Sequence, residues 1–135
     1  EQVLVGGDGA IGFVDLDDAA LSEPALDVGN FVAHLIWLGG RAPTGAARLR
    51  AAAAAFTRAH GARDRRRDPA VLRWCEAVAL LRLADVHLAA GGVPLAAALV
   101  TACGARLETA GEAAAKAAQD RGVRRRRGHE PAWCP

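Results

Sequence analysis

The fold is decided by the segment from Val3 to Leu38, at whose centre the sequence reads FVDLDDAA over residues 13–20. The apolar run Ile11–Val14 predicts a short buried strand. Three carboxylates follow directly after it: Asp15, Asp17 and Asp18. A carboxylate at the point where a buried strand emerges can hold a metal ion that bridges phosphates. The same residues are also typical of a strand that ends in a turn, and their spacing alone leaves both interpretations open.

Two apolar runs flank the turn GGDGA at residues 6–10, whose glycines accept positive φ. The runs are therefore predicted to pair as an antiparallel hairpin. Pairing Val5 with Ile11 brings Gln2 close to Asp15. A side-chain carbonyl oxygen and a carboxylate would then converge, which suits a hard cation such as Mg²⁺. The alternative for Gln2 is a polar residue at a frayed end.

A helix is predicted from residue 24 to 38, with Ser22 as the expected N-cap and Pro24 in the first turn. One stripe of this helix is polar and comprises Asp27, Asn30 and His34. Such a stripe on one helix favours a solvated or hydrogen-bonded face over a metal site.

Beyond Gly40 the sequence predicts three more helices, over residues 45–60, 69–90 and 94–119. With a hairpin over residues 3–14, the predicted fold is mainly α (α+β), a leading β-hairpin followed by a helical bundle. Residues 1–120 form one domain or part of one. Residues 121–135 are basic and are predicted to be a disordered tail.

The order of these elements resembles the aminoglycoside phosphotransferase and choline kinase-like family. The resemblance is carried by VLV at residues 3–5, IGFVDLD at 11–17 and AALSEPALDVGNF at 19–31. In that family an H-x-D-x-x-x-x-N catalytic loop leads into a strand, a turn, a second strand that ends in a metal-binding Asp, and a helix with an Asp near its start. The resemblance implies that the chain is part of a protein-kinase-like C-lobe.

The resemblance also implies roles for individual residues. Gln2 stands at the position of the family's Asn, and Asp15 at that of the metal-binding Asp. Asp27 would support the catalytic loop by accepting its backbone N–H bonds, and Asp17 would assist the metal through water. The catalytic His and Asp are expected before Glu1, together with an N-terminal lobe, so no catalytic residue is expected within this chain.

The activity that the resemblance implies is transfer of the ATP γ-phosphoryl group to a hydroxyl of a small molecule, such as an aminoglycoside or another alcohol. The cofactors of the intact enzyme would be Mg²⁺ and ATP. This kinase fragment is expected to be inactive alone. A second hypothesis is a non-catalytic helical binding module derived from a kinase C-lobe.

Composition gives weaker constraints on compartment and partners. The net charge is only +2, so overall charge selects no partner. Three widely spaced cysteines form no disulfide framework, which favours a reducing, cytoplasmic compartment. The apolar stretch from Val78 to Val100 is interrupted by charges, so no membrane partner is expected.

Two arginine runs, residues 63–67 and 124–127, raise a third hypothesis, a nucleic-acid binder. No aromatic residues interleave with these arginines to form a stacking platform. A solvated loop and a frayed end are therefore the favoured interpretation, and nucleic acid is not an expected partner.

Overall fold

The computed structural model describes the backbone of residues 3–17, 20–63 and 68–127, and side chains in these ranges up to Arg121. It is mainly helical (79% helix), with a two-stranded antiparallel hairpin followed by four α-helices, as the sequence predicts. The strands are β1 (Val3–Val5) and β2 (Ile11–Phe13). The helices are α1 (Pro24–Arg41), α2 (Ala46–Arg63), α3 (Pro69–Ala89) and α4 (Val93–Arg127), with a short 3₁₀ helix (Pro43–Gly45) before α2.

The predicted register of the hairpin is confirmed, because Val5 pairs with Ile11 and Val3 with Phe13. The turn is closed by a hydrogen bond of 2.8 Å from Gly6 N–H to the Ala10 carbonyl oxygen. Gly9 has φ of 81°, a conformation that glycine adopts without steric cost.

The prediction that this hairpin contains a buried strand is wrong. Val5 is 72% exposed, and Ile11 and Phe13 are each 66% exposed. Within the described ranges, neither strand packs against any helix. Two strands alone cannot bury an apolar face, because one face of a sheet needs a second layer to cover it.

The helix starts are set by capping carboxylates and prolines. Glu23, not Ser22, caps α1, since its Oε1 accepts a hydrogen bond of 3.3 Å from Ala25 N–H. Asp68 caps α3 in the same way, at 2.8 Å from Ala70 N–H. In both helices a proline follows the cap, where its missing N–H costs nothing.

The helix ends differ modestly from prediction. Helix α1 continues through the glycine pair to Arg41, and α2 continues to Arg63. The predicted end of α4 is residue 119, whereas the helix runs to Arg127 and so includes the first part of the predicted tail. Residues 128–135 lie outside the described residues.

Helix α3 is at the centre of the helical body, which we define as α1 to α4. It packs against α1 on one side and α4 on the other, and α2 packs against α1. The largest buried side chains of the α3–α4 contact are Leu80 and Leu99, with 0% and 2% exposure. Val78 and Val86 fit the helical spacing of apolar residues in α3 and would be expected in this core, but they are 42% and 53% exposed.

The closest approach of α1 to α3 occurs at Gly29. A Cβ atom placed on this glycine would lie 2.8 Å from the backbone of Cys75 and of Glu76. Because real Cβ atoms do not come this close to backbone atoms, only glycine allows α1 to cross α3 at this distance. The crossing fixes the start of α1, including Asp27, relative to α3.

Candidate functional site

Asp15 lies two residues beyond β2, as predicted, and is exposed. It has φ of 60° and is the one non-glycine residue with positive φ in the described part of the chain. Aspartate tolerates this left-handed conformation better than most residues, but the conformation is uncommon and is concentrated at turns and functional sites. The chain therefore changes direction at the carboxylate that the sequence singles out.

The other members of the predicted metal site are only partly described. Asp17 is exposed in the turn that follows Asp15. Gln2 and Asp18 lie outside the described residues. The predicted convergence of Gln2 and Asp15 therefore stays a prediction, although the confirmed pairing of Val3 with Phe13 places β1 in the register that it requires.

Asp27 is in the first turn of α1 and is exposed. It lies at the edge of an open groove of about 330 Å³ between α1 and α3. The groove is lined by Leu26, Asp27, Asn30, Cys75, Val78, Ala79 and Arg82. In the described residues neither strand packs against α1 or α3, so the hairpin strands do not cover this groove.

The polar stripe of α1 is hydrogen-bonded, in agreement with its favoured interpretation. Arg82 Nη2 donates a hydrogen bond of 2.9 Å to Asn30 Oδ1, which joins α3 to α1. His34 Nδ1 lies 2.8 Å from the Asn30 carbonyl oxygen. These contacts give Asn30 a role in joining α1 to α3 and hold the His34 ring against the backbone of its own helix.

Cys75 lines the groove but is a poor nucleophile. Burial raises the pKa of its thiol above the ordinary value of 9.0, and the nearby carboxylates of Glu23 and Glu76 raise this pKa further. The thiol therefore stays protonated at neutral pH, and only the thiolate is strongly nucleophilic. Cys75 acts as a small apolar residue, as its place on an apolar helix face predicts.

A buried ion cluster joins α3 to α4, and the sequence analysis missed it. Glu76 has no exposed surface, and Arg73 Nη1 donates to its two carboxylate oxygens at 3.0 and 2.8 Å. Arg106 Nε on α4 lies 2.6 Å from Glu76 Oε2 but makes no well-directed hydrogen bond, so this contact is an ion pair. The spacing of Arg73 and Glu76 marks a helical pair. Nothing in the sequence indicates that Arg106 joins it.

A second missed cluster surrounds Trp37. The His87 ring stacks on the indole with 5.5 Å between ring centroids, and the Arg41 guanidinium lies 5.1 Å from the indole centroid. His34 meets the indole edge-on at 6.0 Å. The indole Nε1 is buried without a hydrogen-bond partner. The cluster joins the end of α1 to the end of α3.

The described ranges contain no group of three or more His, Cys, Asp or Glu residues placed to hold a metal ion. A Mg²⁺ ion that bridges phosphates differs from an ion in an all-protein cage, because it takes one or two carboxylates and completes its shell with phosphate oxygens and water. Asp15 and Asp17 have exposed carboxylates, the residue type that the first kind of site uses.

One stretch of the described chain, Val93–Arg121 in α4, has the length and composition of a membrane-spanning helix, because it contains an 18-residue window with a mean hydropathy of 1.2. The core helix of a soluble protein has the same character, and α4 packs against α3 through Ala96, Leu99 and Cys103. Arg106, which pairs with Glu76, also lies within this stretch. The expectation of no membrane partner stays a prediction.

Comparison with known proteins identifies no relative. No protein-family model matches the chain, no curated protein is similar to it, and no solved structure matches its fold.

Proposed function

We propose that the chain is part of an ATP-dependent phosphotransferase that acts on a hydroxyl of a small molecule, and that it is inactive without the rest of the enzyme. The observation that carries this proposal is the hairpin register, which leads the chain out of β2 directly into Asp15 in a left-handed conformation. An exposed carboxylate just beyond the end of a strand is suited to a metal ion that also binds phosphate oxygens.

In this proposal Asp15 is the main protein ligand of Mg²⁺, Gln2 supplies a second oxygen, and Asp17 acts through water. The ion would neutralise charge on the phosphates of ATP during phosphoryl transfer. Single carboxylates bind Mg²⁺ weakly without phosphates, so the nucleotide and the metal would enter the site together.

Asp27 has a supporting role in the proposal. It is exposed at the edge of the α1–α3 groove, on a helix whose position is fixed by the Gly29 crossing. An exposed carboxylate on a fixed helix can accept backbone N–H bonds from a catalytic loop that packs over the groove. Such charge-assisted bonds hold a loop in one conformation.

The proposal is tested with the protein extended by the coding sequence that precedes Glu1. Mg²⁺-dependent ATP consumption is measured against a panel of aminoglycosides and small alcohols. Replacing Asp15 with Ala is expected to lower kcat by about 10²–10³-fold, because it removes a ligand of the ion that stabilises the transition state. The matched control is Asp120→Ala, an exposed carboxylate on α4 that is expected to leave kcat unchanged.

Two outcomes would count against the enzyme. One is an upstream sequence without an H-x-D motif, and the other is activity that does not respond to Asp15→Ala. The same assay on the 135-residue chain alone is expected to show no ATP consumption, which is a separate result from the effect of the substitution.

A second candidate is the non-catalytic binding module, and the outward face of α3 favours it. Val71, Trp74, Val78, Leu81 and Leu88 recur along this face and are 40–56% exposed. Contiguous exposed apolar residues mark binding surfaces more often than solvated ones. Under this hypothesis Trp74→Ala abolishes capture of the partner, whereas Asp15→Ala does not.

A further inference from the structure

Besides the outward face of α3, two further surfaces of the described chain pack against no other described element, and the first is one face of the hairpin. Val3 pairs with Phe13 and Val5 with Ile11, so all four side chains lie on the same face of the two-stranded sheet. They are 40–72% exposed. An isolated hairpin is marginally stable in water, and covering this face would stabilise it.

The second surface is the outward side of α2. Within the described ranges, α2 packs only against α1 and the 3₁₀ helix, and Ala53 is its single buried residue. Four arginines of α2 are exposed: Arg48, Arg50, Arg58 and Arg63. The exposed side chains between them are mostly alanines, including Ala51, Ala54 and Ala55. A flat apolar surface can approach α2 closely at these alanines, because their side chains are only methyl groups.

The charges of these two surfaces are opposite. Residues 1–40 contain seven acidic residues and no Lys or Arg, whereas residues 41–67 contain eight arginines and one Asp. Asp8, Asp15 and Asp17 bring this negative charge to the hairpin and the turn after it. The overall charge of +2 conceals the separation. Surfaces of opposite charge attract and orient one another before they make contact.

Neither a nucleic acid nor a membrane would cover both the apolar face of the hairpin and the basic surface of α2. A nucleic acid would neutralise the arginines but would leave the apolar hairpin face uncovered. A membrane would require large apolar side chains among the arginines of α2, and the outward face offers alanines instead. A second copy of the chain supplies both an acidic apolar hairpin and a basic alanine-rich helix.

We propose that the chain self-associates, with the hairpin of one copy docked on α2 of a second copy. The contact is made twice in a two-fold dimer, because each copy offers one hairpin and one α2. The apolar face of the hairpin covers the alanines, and the hairpin carboxylates lie near the arginines. This inference does not depend on the proposed enzymatic activity.

Sedimentation equilibrium of the 135-residue chain tests the proposal. The dimer is expected at about 0.05 M NaCl and is expected to weaken in 1 M NaCl, because the screening length falls from more than 10 Å to about 3 Å. The charge-reversal variant Arg48→Glu with Arg58→Glu is expected to weaken the dimer by about tenfold or more, since like charges then face one another.

The matched control is Lys116→Glu with Arg121→Glu, which changes the net charge equally at two exposed positions of α4. This control is expected to retain the dimer. A second pair of variants tests the apolar part: Phe13→Ser is expected to weaken the dimer, and Leu4→Ser, on the opposite face of the hairpin, is expected to have a smaller effect. Because the hairpin touches no described helix, circular dichroism should show unchanged helix content in both.

A chain that stays monomeric at all salt and protein concentrations would overturn the proposal. So would a dimer that tolerates the α2 charge reversal, or one that the α4 control disrupts equally. Salt-dependent binding of a DNA duplex by a monomeric chain would instead assign the arginines of α2 to nucleic acid.

Discussion

The helical body and the hairpin are both rich in apolar residues, but they use them in opposite ways. In α3, Leu72, Leu80 and Leu83 are at most 6% exposed, whereas Val5, Ile11 and Phe13 of the hairpin are at least 66% exposed. A helix satisfies its backbone hydrogen bonds internally and needs only an apolar stripe on a neighbour to bury its own. A two-stranded sheet leaves both edges unpaired and needs a further layer. An apolar pattern therefore predicts a strand, but it does not predict what buries the strand.

A large loss of stability is expected from breaking the charged contact inside the helical body. Replacing Glu76 with Ala leaves Arg73 and Arg106 facing a site without a counter-charge. Removing one partner of a buried ion pair commonly costs 3–5 kcal/mol, and because both arginines are about one-third exposed we expect about 3 kcal/mol. Urea unfolding followed by circular dichroism measures the loss. Glu108→Ala, at an exposed position of α4, should change stability by less than about 0.5 kcal/mol.

If Glu76→Ala and Glu108→Ala are equally stable, the Glu76 cluster contributes little to holding α3 against α4. The hydrophobic contacts around Leu80 and Leu99 would then account for that joining by themselves.

A pair of truncations compares the two regions directly. Leu80→Ala empties a fully buried position and should lower the free energy of unfolding of the helical body by about 2–5 kcal/mol. Phe13→Ala removes a larger side chain from the hairpin, but it should change the same transition by less than about 0.5 kcal/mol, because the hairpin packs on no described helix. Thermal unfolding of the two variants measures the contrast. A destabilisation by Phe13→Ala comparable to that of Leu80→Ala would mean that the hairpin does pack on the body.

Sequence periodicity and capping predicted most of the fold. Pro24 and Pro69 set the starts of α1 and α3, and the glycine-rich turn set the register of the hairpin. These features depend only on neighbouring residues, so they can be predicted from the sequence alone. Exposure was predicted less well. Val78 and Val86 fit the helical period of α3, yet both face outward, because periodicity does not tell which apolar stripe meets a neighbour.

The candidate site was predicted to the extent that it depends on local structure. The position of Asp15 after β2 and that of Asp27 in the first turn of α1 follow from strand and helix boundaries. The Glu76 cluster was missed because Arg106 lies thirty residues after Glu76, and their meeting depends on how α4 packs on α3. The proposed metal ligand set also depends on such packing, and it remains a prediction.

Two glycine substitutions separate close packing from helix propensity. Gly29→Ala should destabilise the helical body by about 1–3 kcal/mol, because its Cβ would collide with the α3 backbone at Cys75 and Glu76. Gly104→Ala, in the interior of α4 with no neighbouring atom within 4 Å, should instead stabilise it by about 0.5–1 kcal/mol through better helix propensity. Urea unfolding of both variants measures the opposite signs. Stabilisation by both would show that α1 does not cross α3 as closely as the structure indicates.

The smallest expected effect is a fall in the free energy of unfolding of the helical body at alkaline pH. The hairpin contains no cysteine and should not contribute to it. Burial, together with Glu23 and Glu76, raises the pKa of the Cys75 thiol in the folded state above its ordinary value of 9.0. Above pH 9 the unfolded chain loses this proton while the folded chain keeps it, so unfolding releases a proton and stability falls as pH rises. The stabilising contribution is complete below pH 9 and is lost as the pH approaches the folded-state pKa.

Cys75→Ala should weaken this dependence of stability on pH, measured by urea unfolding between about pH 7 and 10. Cys103→Ala, which removes the other buried thiol of the described core, should keep the part of the dependence that Cys75 contributes. If the free energies of unfolding of both variants depend on pH in the same way as that of the unsubstituted chain, the Cys75 thiol is in contact with water. The α1–α3 groove is then more hydrated than the burial of Cys75 implies.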